Sequence, residues 1–329
     1  MNASQQAAFV AAVAASGVYA VARRTALREA PALSARFARP VWLKREDQQA
    51  CFSFKVRGAF HCLAHLPVAL RGRGVVAASA GNHAQGVALA ARHFGVPATI
   101  VMPRTAPAIK VAAVHGLGAE VVLAGERFAD ADDTARRLAA ERGLALVHAF
   151  DDPRVIEGQA TVAAEILQQH PGHLEAVFVP VGGGGLLAGV GAYVKAVRPD
   201  VRVIGVEPVG SDAMYRALAA GVPVPVHDLD VFADGVAVRE VGRHTLALAQ
   251  ATVDEVVRVT RAQICDAMRD VFNDTRGVVE PAGALAVAGL ALYAGRSASP
   301  GACVAILTGA NLDFDLLGEV ARESAAVTS

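Results

Sequence analysis

The chain has 329 residues, of which 53% are hydrophobic and only 5% aromatic. This length favours two domains over one compact core, and an interior rich in Ala, Val and Leu favours an α/β protein with helices packed on a buried sheet. Its 31 basic residues balance 31 acidic ones without a run of like charge, which argues against nucleic acid or an anionic membrane surface as a partner.

The N-terminal residues predict a helix rather than a targeting signal. The Ala-rich stretch at residues 7–15 has no Lys or Arg before it, since the first basic residue is Arg23, so we expect a helix docked on the fold. No apolar run in the sequence is long enough to cross a bilayer. The four cysteines lie far apart without a CxxC pair, which indicates reduced thiols and a cytoplasmic protein.

The next predicted elements are a strand at residues 41–43 and a helix that begins near Lys55. Apolar residues at helical spacing run from Phe54 to Leu66, so Lys55 lies in the first helical turn. Free backbone N–H groups and the helix dipole disfavour a cation there, and an amine that becomes neutral is a nucleophile. By residue type alone a solvated surface lysine is the simpler interpretation, and the motifs farther along the chain favour a chemical role.

From residue 74 onward, short apolar runs alternate with helical patterns, which is typical of repeated βαβ units with buried parallel strands. The chain leaves one such block and begins a second near residues 150–153. Further helical patterns are predicted over residues 253–272 and 281–294. The predicted strands of the two blocks are residues 75–78, 98–102, 120–123, 176–181, 201–206 and 303–307.

A polar turn follows the predicted strand at residues 75–78. The backbone N–H groups of this turn, with the Ser79 hydroxyl and the Asn82 amide, offer a site for a carboxylate or a phenolic oxygen. A simple N-cap, in which Ser79 or Asn82 caps a helix that starts at His83, accounts for the same residues equally well. The turn by itself therefore leaves both interpretations open.

Four consecutive glycines at residues 182–185 follow a predicted strand and open a helix. Glycines in this position let backbone N–H groups approach an anion, which predicts a phosphate site. The segment also fits the dinucleotide fingerprint, with Gly183, Gly185 and Ala188 in the turn and Glu207 as the ribose partner about twenty residues later. On this segment alone the two interpretations are close.

A third turn, at residues 308–311, follows the last predicted strand. Its first residue, Thr308, places a hydroxyl where parallel strands end, and open α/β sheets bind ligands at that edge. Taken together, Lys55, Asn82, Thr308 and the glycine run indicate an aldehyde cofactor that carries a phosphate and a ring nitrogen.

On these motifs the chain closely resembles the threonine dehydratases (threonine ammonia-lyases), members of the tryptophan-synthase-β-like class of pyridoxal-phosphate enzymes. The resemblance covers nearly the whole chain. It implies an α/β fold of two open-twisted, mostly parallel sheets covered by helices. It also implies a large domain of residues 1–46 and 150–329 and a small domain of residues 47–149. The motifs that carry it, in the family's order and approximate spacing, are residues 44–47, 53–59, 79–86, 182–185 and 308–311.

The resemblance also implies a role for each site residue. Lys55 would bind pyridoxal 5'-phosphate as a Schiff base, Asn82 would contact the 3-oxygen of the cofactor, and Thr308 would contact its ring nitrogen. The implied phosphate ligands are Gly182, Gly183, Gly184, Gly185 and Leu186. The implied substrate carboxylate site consists of Ser79, Gly81, Asn82 and His83.

Three departures from the family pattern bear on function. Many members have serine where this chain has Thr308, but threonine keeps the hydroxyl and hence the expected hydrogen bond. The related serine racemases carry an acid/base serine at the position of Ala80, which disfavours racemisation here. Relatives that bind a divalent metal place carboxylates near residues 207–213, and Ala213 stands where we would expect an acid, so no metal is predicted.

The expected activity is β-elimination of water from L-threonine, which yields 2-oxobutanoate and ammonia, and from L-serine, which yields pyruvate. Lys55 would act as the general base. The neutral hydroxyl of Thr308 cannot hold a ring nitrogen protonated, so elimination is favoured over racemisation and transamination. A serine or 3-hydroxyaspartate dehydratase or racemase of the same fold is the first alternative. A dinucleotide-binding oxidoreductase that uses Gly183, Gly185 and Glu207 is the alternative from another class.

The resemblance further implies a cytoplasmic homodimer or homotetramer that acts on a small amino acid. The biosynthetic enzymes of isoleucine formation usually carry a C-terminal regulatory domain, which we do not expect here. We therefore expect no inhibition by isoleucine.

Overall fold

The structure is a computed structural model that describes residues 1–297 and 301–325. Within those residues the chain forms ten strands and fourteen α-helices. The strands are β1 (Leu27–Glu29), β2 (Val41–Arg45), β3 (Val75–Ala78), β4 (Ala98–Met102), β5 (Glu120–Leu123), β6 (Ala145–Leu146), β7 (Leu174–Pro180), β8 (Arg202–Pro208), β9 (Glu255–Val259) and β10 (Ala302–Leu307).

The helices alternate with these strands along most of the chain. They are α1 (Ala3–Ala14), α2 (Pro31–Phe37), α3 (Lys55–Ala64), α4 (Val68–Arg73), α5 (Asn82–Phe94), α6 (Ala108–Gly116), α7 (Phe128–Arg142), α8 (Pro153–Gln169), α9 (Gly185–Val197), α10 (Ala213–Ala220), α11 (Arg243–Thr252), α12 (Arg261–Thr275), α13 (Pro281–Ala294) and α14 (Leu316–Ala325). Short 3-10 turns lie at Val18–Ala20, Glu46–Gln48 and Asp234–Val236. None of the described helices combines the length and apolar character that a membrane span requires.

The larger sheet has six strands in the order β1-β2-β10-β7-β8-β9, and all neighbours are parallel except β1 and β2. Its strands come from both ends of the chain, since Leu43 in β2 pairs with Ala305 in β10. Alternate residues of β7 enter different cores: Phe178 packs with α12 and α13, whereas Val177 packs with α8 and α9. Both faces of the sheet are therefore covered by helices, as the apolar runs predict.

The smaller sheet has four parallel strands in the order β5-β4-β3-β6. On one face Ala77 and Ile100 pack with α3 and α5, and on the other face Val76 and Val101 pack with α7. This arrangement confirms the α/β fold of two mostly parallel sheets that the resemblance implies. A two-residue bridge between Ser53 and Gly309 joins the segment before α3 to the turn after β10.

One predicted element is wrong in its first part. Residues 253–272 were expected to be helical, but β9 occupies Glu255–Val259 and α12 begins only at Arg261. The sequence Glu-Val-Val-Arg-Val of β9 has a β-branched residue at three of its five positions, and Val257 and Val259 are buried on either side of the exposed Arg258. This period of two fits a strand at the edge of the sheet, and the apolar spacing of the following helix masked it.

Candidate active site

The candidate nucleophile, Lys55, opens α3, with Phe54 as the residue before it. Its backbone N–H donates to the Ser53 hydroxyl at 3.3 Å, and its side-chain Nζ donates to the carbonyl oxygen of Ala149 at 3.2 Å. In the part of the chain that the structure describes, Lys55 has no ion pair with a carboxylate. Although the residue as a whole is partly exposed, loss of solvent around its amine lowers the pKa of Lys55 to about 8, and the charge of Glu280 opposes that shift. An appreciable fraction of this amine is therefore neutral near neutral pH.

Helix α5 begins beside Lys55 because Gly86 lets the two helices approach closely. A Cβ atom added at Gly86 would lie 3.0 Å from both the carbonyl carbon of Lys55 and the nitrogen of Val56. That separation is tighter than most real side-chain contacts, so a larger residue at this position would push the two helices apart. The contact places the first turn of α5, with its free N–H groups, next to the amine.

The polar turn before α5, at residues 79–82, is held by a hydrogen bond of its own and by the contacts of the next residue, His83. The Ser79 hydroxyl accepts a hydrogen bond from the N–H of Gly81 at 3.2 Å. Nε2 of His83 lies 3.0 Å from the carbonyl oxygen of Val147, and burial lowers the pKa of His83 to about 3, with Lys55 adding to the shift. The His83 ring is therefore neutral and donates to Val147 rather than to a ligand. Its contribution to a carboxylate site is confined to its backbone N–H.

Hydrogen bonds from two directions hold the side chain of Asn82. Its partners are Glu280, the residue before α13, and Asn311, in the turn after β10. Its Nδ2 donates to Oε1 of Glu280 at 2.7 Å, and its Oδ1 accepts from Nδ2 of Asn311 at 2.6 Å. The backbone N–H of Asn311 in turn donates to Oε2 of Glu280 at 2.9 Å. With both amide atoms engaged, the Asn82 side chain has a fixed orientation.

Glu280 is a site residue that the sequence analysis missed. It is 2% exposed, and burial raises the pKa of its carboxyl to about 7, with the negative charge of Asp234 adding to the shift and Lys110 opposing it. The available signal was a single acid between Val279 and Pro281, at the start of an otherwise apolar helix. An unpaired acid at such a boundary indicates a buried polar role.

The glycine turn after β7 forms a tight, side-chain-free surface. Gly184 has φ +94°, a left-handed conformation that favours glycine. A Cβ atom on Gly183 would lie 2.3 Å from the ring of Phe150, and one on Gly182 would lie 3.0 Å from the backbone of Val236. Phe150 and Val236 therefore cover the turn closely and exclude any residue larger than glycine.

The backbone N–H groups of this turn lack protein partners. In the described residues, the N–H groups of residues 182–186 donate to no protein acceptor, and the first backbone bond of α9 is from Ala188 to the carbonyl of Gly184 at 2.8 Å. Unpaired N–H groups at the start of a helix attract an anion, because the positive end of the helix dipole lies there. The predicted phosphate site thus has the required donors.

The structure joins the predicted site residues through direct contacts. The backbone N–H of Phe54 donates to the carbonyl of Thr308 at 3.2 Å, which places the turn after β10 against the start of α3. The buried Thr308 hydroxyl lies 3.2 Å from the carbonyl oxygen of Ala282. Ala149 holds Lys55, and Phe150, the next residue, packs on the glycine turn. Direct contacts therefore link the segments that carry Lys55, Asn82, Thr308 and the glycine turn.

The structure argues against the dinucleotide alternative, because Glu207, the residue expected to bind the ribose, is engaged elsewhere. Glu207 is fully buried, and its two carboxylate oxygens accept hydrogen bonds from the N–H groups of Met214 and Tyr215, both at 2.8 Å. It therefore caps α10, and both of its carboxylate oxygens are already engaged. Burial raises the pKa of Glu207 to about 8. In the described residues no group of three or more His, Cys, Asp or Glu side chains has the arrangement of a metal site.

Comparison with known proteins gives consistent matches over nearly the whole chain. The family model described as "Pyridoxal-phosphate dependent enzyme" matches residues 18–309. The biosynthetic L-threonine dehydratase of Burkholderia multivorans is 53% identical over 311 residues, which is 93% of this chain and 61% of that protein. The mitochondrial threonine dehydratase of Saccharomyces cerevisiae is 46% identical over 323 residues, which is 96% of this chain and 56% of that protein.

Among solved structures, the processed form of threonine deaminase isoform 2 from Solanum lycopersicum matches with a TM-score of 0.96 and 42% identity. The match covers 98% of this chain and 94% of that one. Against the curated relatives, this chain spans between half and two thirds of their full length.

Proposed function

Because this chain belongs to the family of pyridoxal-phosphate dependent enzymes, we propose that it eliminates water from L-threonine. Hydrolysis of the resulting enamine takes up one water and gives 2-oxobutanoate and ammonia. The relatives that support this substrate are threonine dehydratases at 46% to 53% identity. The cofactor of the family is pyridoxal phosphate, and the residues present fit it. The glycine turn offers free N–H donors that a phosphate requires, and Lys55 offers an amine that an aldehyde requires.

The observation that supports the proposal most directly is that Lys55, unlike the other lysines, has no ion pair with a carboxylate in the described residues. The sequence contains four lysines. Lys44, Lys110 and Lys195 form ion pairs with Glu165, Asp234 and Asp254 respectively. Across residues 1–297 and 301–325, Lys55 is the lysine without such a pair, and burial lowers its pKa because the charge of Glu280 offsets only part of the effect.

Each remaining cofactor contact is assigned to a residue that the fold holds in place. Residues 182–186 would hold the phosphate by their N–H groups, Asn82 the 3-oxygen, and Thr308 the ring nitrogen. The Ser79 turn would bind the substrate carboxylate through Ser79, Gly81, Asn82 and the backbone of His83. When bound, pyridoxal phosphate withdraws electrons from the substrate's α-carbon and makes its α-proton acidic.

Lys55 is the group that moves protons. Its Nζ atom is directed by the carbonyl oxygen of Ala149 and is partly neutral at physiological pH, so it can take the α-proton as a general base. Asn82, fixed by Glu280 and Asn311, sets the angle at which the substrate faces that amine.

Thr308 biases the outcome toward elimination. Its hydroxyl is neutral and buried, so it cannot supply the negative charge that would keep a ring nitrogen protonated. Negative charge is then not stored for long on the substrate, and prompt departure of the β-hydroxyl is favoured over reprotonation. Ala80 has no hydroxyl to return a proton, which also disfavours racemisation.

We further propose two domains, with residues 1–46 and 150–329 in the larger and residues 47–149 in the smaller. The strands support this division, because β1, β2 and β7 to β10 form one sheet and β3 to β6 form the other. A cytoplasmic location and a homodimer or homotetramer are proposed from the resemblance.

Incubation of the purified, cofactor-loaded protein with candidate amino acids tests the proposed reaction. With L-threonine we expect 2-oxobutanoate and an equal amount of ammonia, with L-serine we expect slower formation of pyruvate, and with either substrate no D-isomer. Formation of oxo acid from 3-hydroxyaspartate or L-serine, with none from L-threonine, would replace the proposed substrate. Formation of a D-amino acid as the main product would replace the proposed reaction.

A further inference from the structure

A hydroxyl from α11 fixes the direction of one peptide in the glycine turn. Oγ1 of Thr245 donates to the carbonyl oxygen of Gly183 at 2.7 Å, and the backbone N–H of Gly242 approaches the same oxygen at 3.4 Å. The C=O and N–H of a trans peptide point in opposite directions. With the Gly183 carbonyl directed at Thr245, the N–H of Gly184 points away from Thr245.

Thr245 is itself held firmly. It is fully buried, and its backbone N–H lies 3.2 Å from a carboxylate oxygen of Asp151. The same carboxylate accepts from the N–H groups of Arg243 at 3.0 Å and His244 at 2.9 Å, so Asp151 caps the first turn of α11 from 92 positions away in the chain. This cap fixes the helix end that carries the hydroxyl.

Three successive residues therefore connect the two halves of the site. Ala149 holds the amine of Lys55 by its carbonyl oxygen, and the ring of Phe150 covers Gly183. Asp151 positions Thr245, which holds the Gly183 carbonyl. The segment that directs the amine thus also determines where the glycine turn's donors point.

We propose that Thr245 is a positioning residue for the cofactor's phosphate: its hydroxyl orients the Gly183–Gly184 peptide so that the Gly184 N–H donates to that group. The inference rests on the proposed phosphate site at residues 182–186. In this proposal Thr245 acts through the Gly183 carbonyl and not by contact with the cofactor. Its effect is confined to the phosphate end, because its contacts in the turn are with Gly183 and Gly184.

The test compares two ligands that differ only by the phosphate. The full-length protein is stripped of cofactor and titrated with pyridoxal phosphate and with pyridoxal. In Thr245→Val, which keeps the shape but loses the hydroxyl, we expect pyridoxal phosphate to bind about tenfold more weakly, the loss of roughly one hydrogen bond. Pyridoxal affinity should not change. Thr245→Ser should restore the preference for the phosphorylated ligand.

A matched control lies seven residues farther along α11. Oγ1 of Thr252 donates at 2.7 Å to the carbonyl of Leu248 within the same helix, so Thr252→Val removes a comparable hydrogen bond without touching the glycine turn. Both ligand affinities should be unchanged in this variant. If Thr245→Val does not fold, Asp151→Asn loosens the same helix end and supports the same comparison of ligands.

Two results would overturn the inference. Equal weakening of both ligands in Thr245→Val would show that the hydroxyl acts on general packing, and unchanged affinity for pyridoxal phosphate would show that it does not orient the donor. A different result bears on the proposed phosphate site itself. If the wild-type protein binds pyridoxal as tightly as pyridoxal phosphate, the glycine turn is not the phosphate site, and this inference fails with it.

Discussion

Lys44, in β2, and Lys55, the first residue of α3, have different contacts although burial lowers the pKa of both. Lys44 is fully buried, and its amine donates to Glu165 at 2.5 Å, to the Thr25 carbonyl at 2.7 Å and to Gln169 at 2.8 Å. Lys55 has one protein acceptor, the carbonyl of Ala149. Three hydrogen bonds hold the amine of Lys44, whereas one holds that of Lys55.

The Lys44 side of α3 is a closed ion cluster, which consists of Lys44, Glu46, Arg57 and Glu165. Arg57 donates to Glu46 at 2.7 Å and 2.8 Å and to Glu165 at 2.6 Å. Two cations face two carboxylates, and all four side chains are fully buried. Because Arg57 lies two positions after Lys55, this cluster anchors the helix that presents the amine. Burial lowers the pKa of both lysines, so the difference between them is that Lys44 is paired with a carboxylate and Lys55 is not.

The largest expected effect on activity comes from removing the amine of Lys55. Lys55→Ala should lower the rate of 2-oxobutanoate formation by at least about 10³-fold, because the general base is lost. The absorbance of lysine-bound cofactor should disappear with it. No ion pair is broken, and below about pH 8 the cofactor-free protein should become more stable, because an amine whose pKa is lowered by folding is removed. Lys195→Ala, which removes a lysine paired with Asp254, serves as the control and should keep full activity.

Breaking the ion cluster should lower the stability of the protein, whereas removing Lys55 should lower its activity. Arg57→Met leaves Glu46 and Glu165 buried with one cation between them, and we expect the free energy of unfolding to fall by about 3–5 kcal/mol. Urea denaturation of the cofactor-free protein measures it. An unfolding free energy equal to that of the wild type would contradict the view that this side of α3 is structural.

The pH dependence of folding stability reports the ionisation of Glu280, whose pKa is raised. Its pKa of about 7 in the folded protein exceeds the ordinary 4.5, so the folded state holds the proton more tightly. The carboxyl's contribution to stability is thus complete below about pH 4.5 and is lost as pH rises to about 7. In Glu280→Gln this decline should be absent. Because Glu207 also has a raised pKa, of about 8, the difference between the two proteins is the quantity to measure, by urea denaturation across this range.

The polar and charged groups around Glu280 influence the pKa that this experiment measures. Asn82 and Asn311 donate to its carboxylate, Asp234 adds a negative charge and Lys110 a positive one. Identical pH dependence in the wild type and in Glu280→Gln would show that the carboxyl is already ionised in the folded protein at acidic pH.

The smallest effect is expected at Thr308. Thr308→Ser keeps the hydroxyl that lies 3.2 Å from the Ala282 carbonyl, so turnover should change by no more than a few-fold. Thr308→Val keeps the shape but removes the hydrogen bond, and we expect about a tenfold loss of kcat/KM. If the two variants behave alike, the hydroxyl has no part in the reaction.

Turns that follow strands were predictable from the sequence, because small polar residues and glycines between an apolar run and a helical pattern are typical of such turns. Lys55, Asn82 and Thr308 were identified in this way. Ala149 was not, since any residue supplies a carbonyl oxygen and the side chain carries no signal. Thr245 and Asp151 were missed because their contacts join segments more than sixty positions apart. Strand β9 was missed because its short alternation precedes a stronger helical pattern.

The central claim is that Lys55, and not a paired lysine, carries the cofactor. Reduction of the cofactor-loaded protein with borohydride fixes the cofactor to its lysine, and mass spectrometry of the digested protein then locates it among the four lysines. We expect the added pyridoxyl phosphate mass on the peptide that contains Lys55 and on no other. Modification of Lys44, Lys110 or Lys195, or of none of the four, would contradict it.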